Sequence, residues 1–407
     1  MFVRVALLAT LWIVAAPAVA RTKTYDLEVL PPEHKRMVDP QTGAELLFLS
    51  ASEHSDASFY YEQRSWLADS SLIIFGSSGP NRGLMGYIVR TGELVRLTTP
   101  EGGLGGPTCA QRRNSVFGMR GRHVIEQALR ILPADKPGER SRVVATERVL
   151  ATIPEDRMGP NTALSENANG TLIALGAGGR AGSPAGAPGR VLTVNVRTGE
   201  VRDAYTCSGM DFGGHVVCSR TDPNLISFGM AGAWINVVDV RTGKLVFRHR
   251  QVPGEFCTHH CWWQGNLITF CGGFHPQPTE DADVKTIDIR TGEVRIVGRG
   301  NWWEGAKPIE LARANWWHSA GDENGRWIAA DNWHGDIGLF HAKTTRTYIL
   351  TKGHRTYGRG THPEVGWDRQ SRQVIFSSHM LGTVHACVAT IPQAWQDAWE
   401  EQLSVGR

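Results

Sequence analysis

A short turn motif recurs along the chain at a nearly constant interval. Its intact form is Val-Arg-Thr-Gly-Glu or a close variant, and each copy separates two runs of alternating β-type residues. Glycine in so short a loop supplies the positive φ that a β-hairpin with a bulge requires. The threonines of successive copies are 44 to 55 residues apart. The motif occurs at Asp39–Gly43, Val89–Glu93, Val196–Glu200, Val240–Lys244 and Ile289–Glu293, with degenerate copies at Ala145–Glu147 and Lys343–Thr345.

Seven hairpins at this period predict an all-β fold, a seven-bladed β-propeller with four-stranded blades. Near the C-terminus, Val374–Ser377 and Val384–Val388 provide inner strands but no outer strand. We expect the N-terminal run Ala44–Leu49 to supply it, so that this strand completes the last blade, closes the ring and leaves no free edge. A pair of β-sandwiches is the alternative fold, but it would not produce seven evenly spaced turns.

The first 20 residues have the pattern of a cleaved signal peptide. Arg4 precedes an apolar run from Val5 to Ala15, and Ala18-Val19-Ala20 provides the small residues of a cleavage site. The apolar run is too short to span a membrane. We therefore predict an exported bacterial protein, periplasmic or secreted. Residues 21–407 would form a single propeller domain, with 392–407 as a peripheral tail.

The composition excludes two broad classes of protein. With 41% hydrophobic and 20% charged residues, the chain is not intrinsically disordered. Its net charge of +3 offers no broad basic surface for nucleic acid. The glycine-rich segments 102–106 and 178–179 lack the Lys-Ser/Thr and the following helix of a phosphate loop, and no Gly-x-Ser-x-Gly elbow is present.

The seven cysteines leave more than one interpretation open. An exported protein can form disulfides, but an odd number leaves at least one free thiol. Cys257 and Cys261 flank two histidines, which resembles half of a zinc site, yet no second pair of matching spacing follows. Buried free thiols, with or without one disulfide, are the favoured interpretation.

Histidine and tryptophan concentrate in the second half of the chain. Ten of the 15 histidines lie between His259 and His385, and eight of the 14 tryptophans lie between Trp262 and Trp333. A propeller brings the starts of its inner strands to a central funnel, where side chains from several blades can meet. The segments predicted to reach that funnel are Glu53-His54 with Phe59–Gln63, Cys257–Cys261, Asn315–Ser319 with Asp331–His334, and Arg359–Glu364.

Two histidines and a carboxylate from separate blades suit a divalent cation with open positions. His362 and Glu364 are two residues apart, so on one strand they point the same way, and His318 belongs to the preceding blade. The alternative is that each histidine only hydrogen-bonds backbone between strands. Two roles, stacking on a sugar and packing between blades, are likewise open for three tryptophan pairs, Trp262-Trp263, Trp302-Trp303 and Trp316-Trp317.

These motifs resemble those of the oligogalacturonate lyases, the seven-bladed propeller family that degrades pectate. Their order and spacing agree over roughly residues 36 to 392. The family's Cys-Thr-His phrase, which holds the catalytic base, is matched by Cys257–His259, and its Ser-His phrase, which gives a metal ligand, aligns with Trp317-His318. Further matches are Asp39–Ala44 for the opening phrase, His54, Tyr60, Gln63 and Gly214-His215.

The family's Gln-x-x-His-Pro-His metal strand is altered in this chain. The His-Pro core is kept at His362, while Glu364 replaces the last histidine and Arg359 replaces the glutamine. Together with His318, the resemblance implies a set of two histidines and one carboxylate that binds divalent Mn, Ca or Zn. Arg359 cannot ligate a cation and is expected to bind a substrate carboxylate.

The resemblance implies β-elimination on a uronate-containing glycan, so the expected partner is an acidic oligo- or polysaccharide. Neutral His259, with an unperturbed pKa of about 6.5, would remove the C5 proton. A divalent cation on the uronate carboxylate would stabilise the resulting enolate. Arg359 would replace a mid-chain arginine of the family, where this sequence has Gly232. The residues expected to bind substrate around the funnel are His54, Tyr60, Gln63, His215 and His334.

Two other functions stay open at the level of sequence. One is a non-catalytic propeller of the envelope or periplasm that binds a partner or a glycan. The other is a glycosidase, which requires a pair of carboxylates. The carboxylates available for it near the predicted funnel are Glu53, Asp56, Glu62 and Glu364.

Overall fold

The strands of the described residues form six sheets. The computed structural model describes residues 22–80, 82–136, 138–157, 163–179, 186–274, 282–356 and 361–398. Strands are numbered in chain order, and four of the sheets are four-stranded antiparallel meanders. These four comprise β13 Ser165–Glu166, β14 Leu172–Ala177, β15 Gly189–Asn195 and β16 Val201–Cys207; β17 Phe212–Cys218, β18 Leu225–Met230, β19 Ala233–Asp239 and β20 Lys244–Arg248; β21 Thr258–Trp262, β22 Leu267–Gly272, β23 Asp283–Asp288 and β24 Val294–Gly298; and β25 Trp316–Gly321, β26 Trp327–Asn332, β27 Ile337–His341 and β28 Thr347–Thr351.

A fifth sheet has one additional strand from the N-terminal part of the chain. The strand order is β1-β12-β11-β10-β9, and every pair is antiparallel. Because β1 pairs with Val143–Glu147, the first half of β12, it covers that part of an outer edge that would otherwise be free. The bounds are β1 Lys23–Leu27, β9 Gly105–Cys109, β10 Ser115–Arg120, β11 His123–Leu132 and β12 Arg142–Thr152.

The sixth sheet contains ten strands and combines the two ends of the chain. The N-terminal strand β4 pairs antiparallel with the last strand β31, with Phe48 opposite Cys387. A single parallel bridge between Asp56 and His385 joins β5 to β31. The bounds are β2 Val29–Leu30, β3 Lys35–Val38, β4 Glu45–Phe48, β5 Asp56–Ala57, β6 Leu72–Ser77, β7 Gly83–Ile88, β8 Leu94–Arg96, β29 Gly366–Trp367, β30 Gln373–Ser378 and β31 His385–Thr390.

The prediction of an all-β β-propeller is confirmed, but the predicted count of seven blades is not. The described residues form five separate sheets of blade size, and the remaining ten strands share one sheet. The reason is the bridge between Asp56 and His385, which connects β5–β8 with β29–β31. Hydrogen bonding across that junction could not be read from the spacing of the turns.

The intact copies of the turn motif form the predicted hairpins. They connect β3 to β4, β7 to β8, β15 to β16, β19 to β20 and β23 to β24. Each motif glycine has a positive φ, for example 76° at Gly92 and 75° at Gly292. In four of the five turns, an Asp or Asn three residues before the threonine closes the turn, as where Asp288 Oδ1 accepts the Arg290 N–H at 2.8 Å.

One degenerate copy of the motif is not a turn, which corrects the prediction. Thr146 lies inside β12, where it pairs with Ala128 on one side and Thr24 on the other. The segment lacks glycine and is rich in β-branched residues, so it continues as a strand. The copy at Lys343–Thr345 is a turn between β27 and β28, and Thr345 takes a φ of 57° without glycine.

Apolar faces of neighbouring sheets pack together to form the core. One cluster joins Val191 of β15 to Phe212 of β17 and Phe228 of β18. Helical structure is limited to α1 Pro308–Ala314, a 3-10 turn Glu155–Arg157 and residues 393–398 of the predicted tail, within the described ranges. The tail packs through Trp395, whose ring centroid lies 4.8 Å from that of Tyr348.

Three further predictions concern the termini and the cysteines. The predicted signal peptide, residues 1–20, lies outside the described residues. Among the residues that are described, no helix is both long and apolar enough to cross a membrane. All seven cysteines are described, and each is a free thiol; six are buried and Cys207 is half-buried.

Candidate functional site

Histidines from three sheets and from the segment before β29 meet at the starts of the inner strands. His215 lies on β17, His259 on β21 and His318 on β25, while His362 precedes β29. We call these four residues the histidine cluster. The ring centroids of His215 and His259 are 5.5 Å apart, those of His259 and His318 are 4.3 Å apart, and those of His318 and His362 are 5.3 Å apart. The structure therefore brings together residues separated by almost 150 positions in the sequence.

The backbone at the cluster departs from regular strand geometry. His215 and His259 have a φ of 50°, and Glu364 has a φ of 59°. The register of β17 and β21 shifts next to the two histidines, which marks a bulge at each site. A side chain held in this left-handed region costs on the order of 1–3 kcal/mol, which the surrounding packing must supply. Such strain is typical of functional sites.

His318, His362 and Glu364 form a group that could hold a metal ion. One potential ligand atom from each residue lies within 4.8 Å of the other two. The Nε2 atom of His318 is 3.6 Å from Oε2 of Glu364. Glu364 Oε2 is buried and has no hydrogen-bond partner among the described residues. A divalent cation would satisfy this oxygen, so the donor set fits the predicted metal.

Asp331 on β26 orients this group, and sequence analysis did not assign it a role. Its carboxylate accepts the Nδ1–H of His318 at 3.0 Å and the backbone N–H of Glu364 at 2.7 Å. When the His318 ring is neutral, Asp331 holds its proton at Nδ1, and Nε2 presents a lone pair toward Glu364. Asp331 thus fixes two of the three candidate ligands.

Burial and neighbouring charges set the protonation of the candidate ligands. Burial raises the pKa of Glu364 to about 7, with His318 opposing the shift and Asp331 adding to it. For His318, burial lowers the pKa, but the Asp331 and Glu364 carboxylates outweigh it and the net pKa is raised. In His362, burial and the neighbouring His318 lower the pKa. Burial thus favours the protonated form of Glu364, whereas the neighbouring carboxylates favour the charged form of His318.

His259 is held neutral at the centre of the cluster. Burial, followed by the repulsion of His318, His215 and His362, holds its pKa well below the usual range for histidine. Its Nδ1 atom lies 2.6 Å from the hydroxyl of Thr258. A neutral imidazole with one nitrogen oriented by a hydroxyl can accept a proton at the other.

A tyrosine and a glutamate support the other side of the cluster. The Glu62 carboxylate is bound to Nδ1 of His215, and the Tyr61 hydroxyl lies 2.9 Å from Glu62 Oε1 and 3.0 Å from the His260 carbonyl. Burial would raise the pKa of Glu62, but His215 and its other partners lower it. Tyr60 lies next to them, with its ring centroid 5.5 Å from that of His318.

Two tryptophans form an aromatic wall beside the histidines. The ring centroid of Trp317 is 5.0 Å from that of His259 and 5.2 Å from that of Trp333. Trp333 in turn lies 5.8 Å from His362. Trp316, the neighbour of Trp317 on β25, is buried and packs edge-on against Phe340. Strand alternation has therefore divided this pair into one packing residue and one residue at the site.

The other two tryptophan pairs are not divided in this way. Trp262 and Trp263 are both buried, and their indole N–H groups donate to the carbonyls of Val217 and Asp322 at 2.9 and 3.1 Å. Trp302 and Trp303 are both exposed, at 54% and 44%. Packing between blades is therefore the role of the first pair.

The remaining residues predicted for the site lie in several places. Gln63 hydrogen-bonds the Pro107 carbonyl and accepts the Tyr60 N–H at 3.1 Å, so it supports the loop that carries Tyr60. His54 lies beside Gly79, with Nε2 3.9 Å from the Glu53 carboxylate, and shows no contact with the histidine cluster among the described residues. His334 is exposed, and Arg359 lies outside the described residues.

Solved structures provide the comparisons that bear on this fold. The chain is similar to an oligogalacturonate lyase from Vibrio parahaemolyticus, with a TM-score of 0.71 and 17% identity over 91% of this chain and 100% of that one. It is also similar to an oligogalacturonate lyase in complex with manganese, with a TM-score of 0.69 and 17% identity over 92% and 99% of the two chains. The β-propeller domain of Swd1 from Myceliophteria thermophila aligns with a TM-score of 0.52 and 9% identity over 83% and 100%.

Comparisons based on sequence alone find no relative. No protein-family model matches the chain, and a search of curated proteins also returns no match. At 17% identity, the structural similarity establishes the fold and leaves the reaction to be argued from the site. The chain therefore has the fold of the oligogalacturonate lyases, as the resemblance of its motifs predicted.

Proposed function

We propose that the protein is a metal-dependent lyase that cleaves a uronate-containing glycan by β-elimination. One observation carries the proposal: His318, His362 and Glu364 place ligand atoms within 4.8 Å of one another, next to a neutral His259. A cation site and a base side by side are what proton removal next to a carboxylate requires. The fold shared with oligogalacturonate lyases, one of them in complex with manganese, supports the same reaction class.

His318, His362 and Glu364 would hold the divalent cation. When bound, it supplies positive charge for the uronate carboxylate as the adjacent carbon loses its proton. Asp331 keeps the proton of His318 on Nδ1 and anchors the backbone of Glu364, so that both ligands keep their orientation. Calcium prefers oxygen ligands, so two imidazoles favour manganese or zinc among the three expected metals.

His259 is the proposed base. Its low pKa keeps it neutral at neutral pH. In the tautomer whose Nδ1–H donates to the Thr258 hydroxyl, Nε2 carries the lone pair and is the atom to take the C5 proton. Removing that proton, with its electron pair left on the sugar, allows the 4-linked sugar to depart and a C4–C5 double bond to form. The proton on His259 then passes to solvent or to the departing oxygen.

The surrounding aromatic and polar residues would bind the sugar ring. Trp317 and Trp333 offer flat apolar faces beside the cluster, and Tyr60 offers a third aromatic ring next to His318. His215, fixed by Glu62, is positioned to hydrogen-bond a hydroxyl of the substrate. We also propose that Arg359 binds a substrate carboxylate, because it lies three residues before His362 in the sequence.

The carboxylates considered for a glycosidase are occupied in other ways. Glu53 is exposed, and Asp56 is buried against Ser52 and the guanidinium of Arg82. Glu62 is committed to His215. Because Glu364 belongs to the cation group, no second carboxylate among these four is available beside it to form an acid–base pair.

We further propose that the chain is exported through its first 20 residues and that residues 21–407 form one domain. The pairing of β4 with β31 supports closure of the ring by the N-terminal part of the chain. A bacterial periplasmic or secreted location would expose the protein to glycan fragments from outside the cell. This placement is consistent with a reaction on acidic oligosaccharides.

The test is an assay of the metal-loaded protein against a panel of uronate glycans, including oligogalacturonates. Elimination creates an unsaturated uronate, which absorbs ultraviolet light, whereas hydrolysis produces new reducing ends without that absorbance. We expect absorbance to rise with at least one member of the panel. Binding without any product would point to the non-catalytic propeller instead.

A further inference from the structure

A second group of metal-ligating side chains lies in the connection between β20 and β21. His249, Glu255 and Cys257 each place one potential ligand atom within 4.8 Å of the other two. Nε2 of His249 is 2.8 Å from Oε1 of Glu255, and the Cys257 sulfur is 3.4 Å from the same oxygen. The side chains of His249 and Glu255 are only 11% and 5% exposed. The three groups therefore converge in a largely buried position.

The loop that carries these residues is braced by its own hydrogen bonds. Oε2 of Glu255 accepts the N–H of Val252 at 3.0 Å, and the Gln251 side chain donates to the Glu255 carbonyl at 3.1 Å. Gly254, with a φ of 85°, allows the tight turn that returns Glu255 toward His249. The geometry of the group is thus set by the fold of the loop and does not depend on an exposed, freely rotating side chain.

We propose that His249, Glu255 and Cys257 bind a zinc ion that stabilises the loop between β20 and β21. Imidazole, carboxylate and thiolate are all ligands that zinc accepts, and three protein ligands leave a fourth tetrahedral position for water. The thiolate selects zinc over the hard cations calcium and magnesium. This inference does not depend on the proposed lyase reaction.

The charge balance of the pocket permits a dication. Glu255 and the Cys257 thiolate together bring two negative charges. Without metal, burial and the Glu255 carboxylate raise the pKa of the Cys257 thiol, and the buried Lys285 ammonium opposes this shift. Once the thiolate has formed, Lys285 brings one positive charge, so the group keeps a net negative charge for the metal. Because the thiol must lose its proton, zinc binding releases a proton to solvent.

The grouping differs from the one that the sequence suggested. Cys261, four residues after Cys257, does not belong to this group; its thiol contacts the Arg220 side chain instead. The connection that would hold the metal ends next to Thr258 and His259. A bound zinc would therefore restrain the backbone immediately before the proposed base His259. It would do so through a group of ligands that shares no residue with the funnel group.

Cobalt(II) provides a direct probe, because a cobalt–thiolate bond produces a charge-transfer band in the near ultraviolet. The proposed funnel ligands contain no sulfur, so cobalt bound there cannot give this band. The reduced protein is titrated with cobalt chloride, and bound zinc is measured separately after dialysis. We expect the band in the wild type and in a His318→Ala/His362→Ala double variant. We also expect it in Cys207→Ser, a cysteine control away from the group.

Two variants decide the assignment. Cys257→Ser should lose the band. His249→Gln, which can keep a hydrogen bond to Glu255, should weaken zinc binding at least 10-fold when it is introduced into the His318→Ala/His362→Ala background, where the funnel group no longer contributes. His249→Gln leaves every cysteine in place and so tests the site even if Cys257→Ser folds poorly. Absence of the band in the cobalt-loaded wild type, or unchanged zinc affinity in His249→Gln, would overturn the proposal.

Discussion

The Asp331 carboxylate lies 3.0 Å from the Nδ1 atom of His318, deep inside the propeller. Both residues are almost completely buried, and the bond decides which nitrogen of the imidazole faces the cluster. The same carboxylate accepts the backbone N–H of Glu364. One aspartate on β26 thus connects β25 with the segment before β29.

Substitution of Asp331 should weaken metal binding without removing a proposed ligand. In Asp331→Asn, the negative charge that holds the His318 proton at Nδ1 is lost, so the affinity for manganese should fall about 10- to 100-fold. The affinity can be measured by competition with a fluorescent chelator. Asp336→Asn, in the turn between β26 and β27, is the control, because among the described residues its carboxylate accepts a hydrogen bond only from Asn332. Equal affinity in Asp331→Asn and Asp336→Asn would contradict the positioning role.

Glu364→Gln should separate the contribution of charge from that of shape. The amide keeps the size of the side chain but brings no negative charge, so we expect metal affinity to fall at least 10-fold. The experiment is best done at pH 8, above the pKa of about 7, where the wild-type carboxylate is ionised. At pH 5 the wild-type group is largely protonated, and the two proteins should bind metal much more alike. A pH-independent difference would argue against ligation by Glu364.

Substitution of Trp316 should affect stability, whereas substitution of its neighbour Trp317 should affect substrate binding. Trp316→Ala removes a buried ring packed on Phe340 and should lower the free energy of unfolding by about 3–5 kcal/mol. Trp317→Ala should leave stability nearly unchanged but raise the KM for the glycan about 2- to 10-fold, because a stacking contact of about 0.5–1.5 kcal/mol is lost. Urea unfolding and steady-state kinetics measure the two effects. The assignment fails if Trp317→Ala is the less stable variant.

The buried His354 should make the protein sensitive to acid. Burial lowers its pKa from an ordinary value of 6.5 to about 3, and its ring nitrogens bond the hydroxyls of Thr351 and Ser378. Between these pH values the unfolded chain binds a proton that the folded chain does not, so the stability due to His354 is present above pH 6.5 and is lost as the pH falls.

This loss amounts to about 2 kcal/mol between pH 7 and pH 5. We expect the stability difference between wild type and His354→Asn to shrink by about that amount over this range, as measured by urea unfolding. His334→Asn, at an exposed position, should follow the wild-type curve. A wild-type advantage over His354→Asn that is the same at both pH values would show that His354 does not titrate in this way.

The sequence predicted the architecture where local chemistry determines it. The motif Val89–Glu93 contains Gly92, which supplies the positive φ that the turn needs, so its hairpin could be predicted. The error at Thr146 arose because a degenerate motif has no such residue and the strand simply continues. The merging of ten strands depends on the bridge between Asp56 and His385, which no local pattern encodes.

The site was predictable to a similar degree. Paired spacing and strand order anticipated that His318, His362 and Glu364 could meet, and their ligand atoms lie close together. Asp331 was missed as a partner because a register shift between Trp316 and Ser319 sets its position beside His318. Pairing across a bulge depends on the folded backbone, and no spacing in the sequence reveals it.

The proposed reaction rests most directly on His259, and its substitution provides the sharpest measurement. The initial rate of unsaturated product formation should be compared among wild type, His259→Ala and the exposed control His123→Ala on β11, each loaded with manganese. We predict that His259→Ala lowers the rate at least 100-fold while it still binds metal, because general-base catalysis contributes roughly 10²- to 10⁴-fold. His123→Ala should remain close to wild type. An active wild type whose rate is unchanged by His259→Ala would contradict the account.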